Sequence, residues 1–458
     1  MTNNRFTSAR FRTLRRSLGL LPSLGLSFVL ALFFVVPMVH ATTFTVDSTD
    51  DNDDVTTVDA DPNNDGTCED TNGKCTLRAA ISEANNNADL DTITFGDDYT
   101  ITLGSTLTIT ENLTIDGGVN TIIEANEAPN TADYRVFTIT GGTVKIQDVT
   151  IRHGVAKGPS QNETRNGGGI LHNGGILTLS NCTISSNRSE WRGGGIRNQA
   201  GTININNCTI TKNTAGLSDT SQKWGGGIYV SGTGKITNTI IAGNNASQKI
   251  DCYGSFNTFE YNLTGSDTGC PTGGTNKTEG NIFTNVLEPF EPNGGYYPLK
   301  DEANLGDNPA INGGNNATCE DKDQLGTKRK ELNSPCDIGA YEKILADPEP
   351  TNYPTGFTAT TESDTEIKLT WTGSTGTQLP AKYLIVAKIN DGGSYASVAD
   401  ETAVDDESDW NDKNNAVNQA HAAGDNTYTF TSLIPETKYD FKIYPYTNAD
   451  AQIGRAHV

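Results

Sequence analysis

The sequence predicts an all-β protein whose main part is a right-handed parallel β-helix. The motif GGGI recurs at Gly167, Gly193 and Gly225, and repeats of about 26 to 33 residues are typical of solenoid architectures. Within each repeat, apolar and polar residues alternate over short runs, which is typical of β-strands with one buried side. Because one repeat cannot bury its own apolar side, we expect successive repeats to stack strand upon strand.

The first segment, residues 1–41, has the pattern of a secretory signal peptide. An N-terminal stretch with five arginines precedes an apolar run that begins at Leu18. Small residues follow up to Ala41, and we expect cleavage after Ala41. Folded export through the pair Arg15-Arg16 and a retained membrane anchor are the alternatives. The leader predicts a secreted or cell-surface protein.

The charge of the chain excludes one class of partner. The sequence has 33 Lys and Arg against 56 Asp and Glu, and loss of the leader's five arginines leaves 28 basic residues and a net charge of −28. Nucleic-acid binding requires clustered Lys and Arg that neutralise phosphates. The composition therefore predicts no nucleic-acid partner.

Residues 42–95 are predicted to cap the start of the β-helix. In the stretch CTLRAAISEAN, the apolar residues Leu77, Ala80, Ile81 and Ala84 share one face of a helix. A stacked sheet exposes an unpaired edge at its first strand, and this helix would cover that edge.

An acidic loop within this cap has the order of ligands found in calcium loops. Asp61, Asn63 and Asp65, followed by Gly66, match the D-x-N-x-D-G pattern, but the twelfth position is Asn72 and not a bidentate Glu. The alternatives are a calcium site, with calcium as the one cofactor of the chain, and an acidic turn without a metal.

The β-helix itself is assigned to residues 96–247. Asparagine recurs at two positions of the repeat, and it tolerates left-handed backbone at sharp corners and can form amide ladders between stacked turns. The two sets are Asn181, Asn207 and Asn238, and Asn187, Asn213 and Asn244. Ile184, Ile210 and Ile241 occupy one repeat position and should align from turn to turn.

The eight cysteines predict local disulfides, because neighbouring cysteines in an exported chain are natural partners. The expected pairs are Cys68–Cys75, Cys252–Cys270 and Cys319–Cys336. Cys182 and Cys208 share a repeat position and point inward, either as a disulfide between turns or as stacked buried thiols, which we favour.

We assign no catalytic residue, although β-helices often carry polysaccharide lyases and glycosidases. Such enzymes need carboxyl groups placed together, either around calcium or as a pair. Between Phe137 and Asn245 the only acids are Asp148, Glu163, Glu190 and Asp219, and they share no repeat position. The strands present Thr, Asn and Ser instead.

Trp191 and Trp224 are the candidate ligand-binding residues. Each stands at or near the start of a GGGI motif, about one turn from the other. Exposed aromatic rings form platforms for sugar rings, and the alternative is that the two side chains hold their loops against the solenoid.

Residues 248–345 are predicted to form irregular turns and a cap that closes the far end of the β-helix. A linker follows at 346–353. A further domain follows at 354–452. The last residues, 453–458, resemble a translated sequencing adapter, so we expect the natural chain to continue.

Several of these segments resemble known modules. CTLRAAISEAN, with DGTC before it and DTITF after it, resembles the entry module of bacterial surface proteins that carry the CSLREA motif. NPAINGG, DQLG and CDIGAYE resemble the choice-of-anchor module, although Asn312 and Leu325 replace the usual Asp and Arg. The GGGI repeats are similar to those of polymorphic outer-membrane proteins, with isoleucine where that pattern has phenylalanine.

Residues 354–452 resemble a fibronectin type III domain, a β-sandwich. Trp371 in IKLTWTG matches the tryptophan of its second strand, and Tyr439 in SLIPETKYDFKIYPYTN matches the tyrosine corner. The resemblance implies an incomplete domain that acts as a spacer toward an envelope anchor in missing C-terminal sequence.

Together these features predict an exported, non-catalytic surface protein of the adhesin or structural type, with a polysaccharide or cell-surface glycan as its partner. The alternative is a carbohydrate-active β-helix enzyme, a polysaccharide lyase or glycosidase.

Overall fold

The computed structural model describes residues 41–53, 67–70, 72–86, 88–158, 163–216, 224–265, 269–292, 294–300, 308–329, 335–343, 352–376, 379–391, 395, 406–407, 410 and 413–446. The leader up to residue 40, most of the predicted linker and residues 453–458 therefore lie outside the described residues. In the described part, no helix combines the length and the hydropathy needed to cross a bilayer.

Strands β1 to β12 lie at Thr43–Val46, Asp91–Phe95, Thr100–Thr102, Leu107–Ile109, Leu113–Glu124, Phe137–Ile139, Thr143–Arg152, Val155–Ala156, Ile170–His172, Ile176–Ser180, Thr183–Ser185 and Arg188–Ser189. Strands β13 to β23 lie at Ile196–Asn198, Thr202–Asn206, Thr209–Thr211, Thr214–Ala215, Ile228–Val230, Thr233–Thr237, Ile240–Ile241, Cys252–Gly254, Thr258–Glu260, Leu263–Thr264 and Lys277–Thr278. Strands β24 to β29 lie at Thr355–Ser363, Glu366–Thr372, Lys382–Ile389, Asn414–Ala420, Asp425–Phe430 and Tyr439–Tyr446. The helices are α1, Leu77–Ala84, α2, Ile282–Asn285, and a 3-10 turn at Glu163–Arg165.

The first part of the chain is a β-solenoid, as predicted. Each turn passes through a broad face (β10, β14, β18), a second face (β11, β15, β19), a short face (β12, β16) and a glycine face (β9, β13, β17, β20). Neighbouring strands are parallel, and like residues pair with like. Ile151, Ile184, Ile210 and Ile241 form one buried column, which confirms the predicted alignment.

The solenoid is longer at both ends than residues 96–247. Strand β1 pairs with β2, which pairs with β5, so part of the predicted cap belongs to the first turn. At the other end, β20, β21 and β22 add a further turn. Helix α1 begins after Thr76, whose hydroxyl accepts a hydrogen bond from the N–H of Ala79. Leu77, Ala80, Ile81 and Ala84 are buried in the solenoid core.

The asparagines of the first corner have left-handed backbone. Asn181, Asn207 and Asn238 have φ of 50°, 47° and 50°, and Asp148 at the same position of the preceding turn has φ of 57°. Asparagine and aspartate adopt this conformation more readily than other non-glycine residues. The corner thus explains why the repeat keeps these residue types.

The asparagines of the second corner form an amide ladder. The side chain of Asn187 donates to that of Asn213 at 3.1 Å, and Asn213 donates to Asn244 at 3.0 Å. Asn244 donates in turn to Asp251 at 2.8 Å. The left-handed residue of this corner is the one before the asparagine, such as Lys212 with φ of 56°. The ladder therefore satisfies buried polar groups between turns and does not relieve backbone strain.

The three glycines of each GGGI motif are required for different reasons. Gly193 has φ of 63°. A Cβ on Gly194 would lie 2.4 Å from the carbonyl oxygen of Gly226, and one on Gly195 would lie 2.9 Å from the side chain of Asn213. The motif therefore lets adjacent turns approach and leaves room for the amide ladder.

The described residues of the C-terminal segment, 308–329 and 335–343, lie along the flank of the solenoid and not across its far end, where we expected them. They cover the second face. Gln324 bonds to Thr150 and Thr183, and the N–H of Ala340 donates to Thr209 at 3.0 Å. These threonines and their neighbours are buried. Part of the polar strand face that the sequence indicates is therefore covered by the segment and forms an internal contact.

The corner asparagines anchor this segment as well. The Oδ1 of Asn181 accepts from Arg329 at 3.2 Å, and the Oδ1 of Asn207 accepts from the N–H of Glu320 at 3.1 Å. Each amide oxygen thus holds a different part of the segment. Repetition in the solenoid provides an array of acceptors that a non-repetitive segment can bind.

Asp148 gives the solenoid a pH-dependent contact. Burial raises the pKa of Asp148 to about 7, although a hydrogen bond from Asn181 at 3.0 Å opposes the shift. The folded chain therefore keeps this proton up to about pH 7, whereas the unfolded chain loses it near 3.8. Stability from this group is complete at low pH and is lost as pH rises through that window.

We expect Asp148→Asn to raise the free energy of unfolding by about 1–2 kcal/mol at pH 8 and much less at pH 4. The introduced amide accepts the same hydrogen bond and suits the left-handed backbone. Native-state hydrogen exchange of the amides of β7 and β11 measures the effect. Asp133→Asn, at an exposed carboxyl, is the control. An equal effect of Asp148→Asn at both pH values would contradict the assignment.

Residues 355–446 contain two antiparallel sheets, β24-β25-β28 and β27-β26-β29. Trp371 is buried between them and packs edge-on against Tyr383 at 5.8 Å. The hydroxyl of Tyr439 accepts from the N–H of Ile434 at 2.8 Å, which is the geometry of a tyrosine corner.

Candidate functional site

The candidate site lies on the glycine face near the later turns. The outward residues of successive strands stand in register, so Arg197 pairs with Tyr229 and Tyr229 pairs with Tyr253. The guanidinium carbon of Arg197 lies 4.0 Å from the ring centroid of Tyr229. Parallel stacking thus brings one basic and two aromatic side chains into a single column.

Arg192 contacts both tryptophans, a cation contact that the repeat spacing did not predict. Its guanidinium carbon lies 4.0 Å from the ring centroid of Trp191 and 5.4 Å from that of Trp224. Both tryptophans are half-buried. Each tryptophan therefore contacts Arg192 and still exposes part of its side chain.

Trp224 continues the aromatic column. Its ring centroid lies 4.5 Å from that of Tyr253 and 6.2 Å from that of Tyr229, and its indole N–H donates to Gln248 at 3.0 Å. Tyr229 is only 7% exposed and supports the other rings from below. Trp224 and Tyr253 form the accessible layer of the cluster.

A shallow open pocket of about 400 Å³ adjoins Tyr253. Lys249, Ser231 and Ser255 line it together with the backbone of Gly254 and Gly269. Lys249 has left-handed backbone, with φ of 52°. The pocket thus offers an ammonium group, hydroxyls and an aromatic edge to a ligand.

Two carboxyl groups of the solenoid, those of Glu124 and Glu190, have internal partners. Glu124 is buried and accepts from Arg152 at 2.6 Å, beside His153, whose pKa is lowered by burial. Glu190 accepts from Arg165 at 2.9 Å. Glu124, which lies one turn earlier, thus provides a carboxylate beside both Arg152 and His153.

The predicted calcium ligands Asp61, Asn63 and Asp65 lie outside the described residues, so that site remains a prediction. Among the residues that the structure describes, no three His, Cys, Asp or Glu side chains are grouped as metal ligands.

The cysteines occupy the positions that the sequence favoured. Disulfides join Cys68 to Cys75, Cys252 to Cys270 and Cys319 to Cys336. Cys182 and Cys208 are buried thiols, and the N–H of Cys182 donates to the sulfur of Cys208 at 3.4 Å. Burial strongly raises the pKa of the Cys182 thiol, which keeps it protonated and inert.

Sequence reasoning missed Tyr253 and Lys249. Tyr229 is marked by its place directly after a GGGI motif, but the turn that carries Tyr253 lacks this motif. Only the pairing of Ile228–Val230 with Cys252–Gly254 reveals the equivalence.

Comparisons with known proteins concern the C-terminal domain. The family model described as "Fibronectin type III domain" matches residues 352–454. Among solved structures, the chain is similar to an FN3 domain of human collagen XX, with 19% identity and a TM-score of 0.16, over 24% of this chain and 91% of that one. The comparison with curated proteins gave no match. The chain therefore combines a β-solenoid with a fibronectin type III domain at residues 352–454.

Proposed function

We propose that this chain is a non-catalytic surface or structural protein that displays a rigid solenoid. The observation that carries the proposal is the internal use of four carboxyl groups of the solenoid. Glu124 and Glu190 each bind an arginine, Asp251 ends the amide ladder and Asp148 binds Asn181. Carboxylates held this way support the packing of the turns, whereas hydrolysis or elimination needs carboxyls that face a substrate.

Export and attachment are part of the same proposal. The predicted leader, three disulfides and a fibronectin type III domain are typical of proteins outside the cytoplasm. The resemblance of residues 42–95 and 248–345 to CSLREA and choice-of-anchor modules supports a bacterial cell surface, either the outer membrane or the extracellular space.

The test asks whether the chain cleaves polysaccharides. The mature chain is incubated with polyuronates and neutral polysaccharides, with and without calcium, and the products are followed by ultraviolet absorbance of unsaturated uronides and by new reducing ends. We expect neither signal under any condition. Release of products that depends on time and on the folded chain would overturn the proposal and favour a lyase or glycosidase.

A further inference from the structure

The surface around Tyr253 and Trp224 combines features that a saccharide requires. The two rings lie 4.5 Å apart and form the accessible part of the aromatic cluster. Aromatic faces bind the apolar face of a sugar ring, and the hydroxyls of Ser231 and Ser255 line the adjoining pocket. Such a mixture of apolar rings and hydroxyls is suited to a sugar and poorly suited to a purely apolar ligand.

The charge of this surface differs from that of the whole chain. Arg192 contacts the ring of Trp224, and Lys249 lies in the pocket beside Tyr253. The chain as a whole has a formal net charge of −23. A basic and aromatic surface on such a protein favours an anionic ligand at this place.

The alignment of the site residues along the solenoid axis also favours a polysaccharide over a single sugar. The column from Tyr229 to Tyr253 runs along the solenoid axis, and successive turns lie about 4.8 Å apart. That spacing is similar to the rise of one sugar ring in an extended polysaccharide. A polymer along the axis could contact Arg192, Trp224, Tyr253 and the pocket with successive rings.

We propose that Arg192, Trp224, Tyr253 and Lys249, with Ser231 and Ser255, form a binding site for an acidic polysaccharide that contains uronate rings. Lys249 and Arg192 bind carboxylates, Trp224 and Tyr253 bind ring faces, and the serines bind hydroxyls. The inference rests on the proposed non-catalytic function in one respect: the bound saccharide is released without being cleaved.

The experiment titrates the mature chain with a short oligogalacturonate and measures binding by calorimetry. We expect Lys249→Ala and Tyr253→Ala each to weaken binding by about tenfold or more, since each removes a charge-assisted hydrogen bond or a ring contact. Lys235→Ala is the matched control, because Lys235 is an exposed lysine on the broad face, and it should leave binding unchanged. Thermal unfolding of each variant shows that the fold is kept.

Several results would overturn the inference. One is that the fully methyl-esterified oligomer, polyglutamate or single-stranded DNA binds as tightly as the oligogalacturonate. Another is that Lys235→Ala weakens binding as much as the site variants do, or that neither site variant changes binding. The ligand recovered after each titration is checked by mass. If the ligand is cleaved and its binding depends on the site residues, the proposed non-catalytic function is wrong and the binding site is supported. If the ligand stays intact and its binding does not depend on the site residues, only the binding site is contradicted.

Discussion

Replacing Arg329 with alanine is expected to lower the stability of the docked C-terminal segment by about 3–5 kcal/mol. Arg329 is 1% exposed, and its guanidinium donates to Glu342 at 3.2 Å and to the carbonyl of Gly339 at 2.9 Å. It also donates to Asn181 of the solenoid. Removal of the cation leaves a buried carboxyl without its partner and a solenoid acceptor without its donor.

Native-state hydrogen exchange at the amides of Gly339 and Ala340 measures this effect, because both donate to the solenoid. Lys328→Ala is the control, since Lys328 is the exposed neighbour. If Arg329→Ala and Lys328→Ala changed the exchange equally, the buried network would not hold the segment.

Asn213→Ala is expected to destabilise the solenoid by about 3 kcal/mol. Asn213 is fully buried and accepts from the backbone N–H of Asn187 at 3.0 Å. Its side chain also donates to the carbonyl of Ile184 at 2.9 Å and to Asn244. Loss of the amide leaves several buried groups without partners, at about 1–3 kcal/mol for each such group.

The matched control for this substitution is Asn204→Ala. Asn204 belongs to the same turn but lies on the outward side of the broad face, so we expect a change within about 0.5 kcal/mol. Exchange of the amides in β11 and β15 reports both variants. Similar losses for the two asparagines would show that the ladder adds nothing to stability.

The repeating part of the fold could be predicted because its determinants are local and periodic. The isoleucine column and the left-handed corner at Asn181 follow from residues that recur once per turn. In the fibronectin domain, Trp371 and Tyr439 belong to motifs that are recognisable without the rest of the sandwich.

The position of the C-terminal segment could not be predicted in the same way. Gln324 contacts Thr183, and Arg329 contacts Asn181, across more than a hundred residues. No period links the two partners. The sequence showed threonines and asparagines on the strands but gave no sign that the chain returns to cover them.

The candidate site was predicted only in part. Trp191 and Trp224 precede a recognisable motif, whereas Tyr253 and Lys249 belong to a turn without one. The contact of Arg192 with both tryptophans depends on side-chain geometry. Spacing along the chain cannot distinguish two rings that stack on each other from two rings that contact the same cation.

Directed disulfide formation on the broad face tests most directly whether the turns are in register. Thr178 pairs with Asn204, so Thr178→Cys with Asn204→Cys should cross-link readily under mild oxidation, since the Cα atoms of paired strands lie about 5 Å apart. Thr178→Cys with Asn206→Cys should not, because that separation is about 8 Å. Peptide mass spectrometry identifies the bridge. A bridge in the second pair, or none in the first, would contradict the stacked arrangement of the turns.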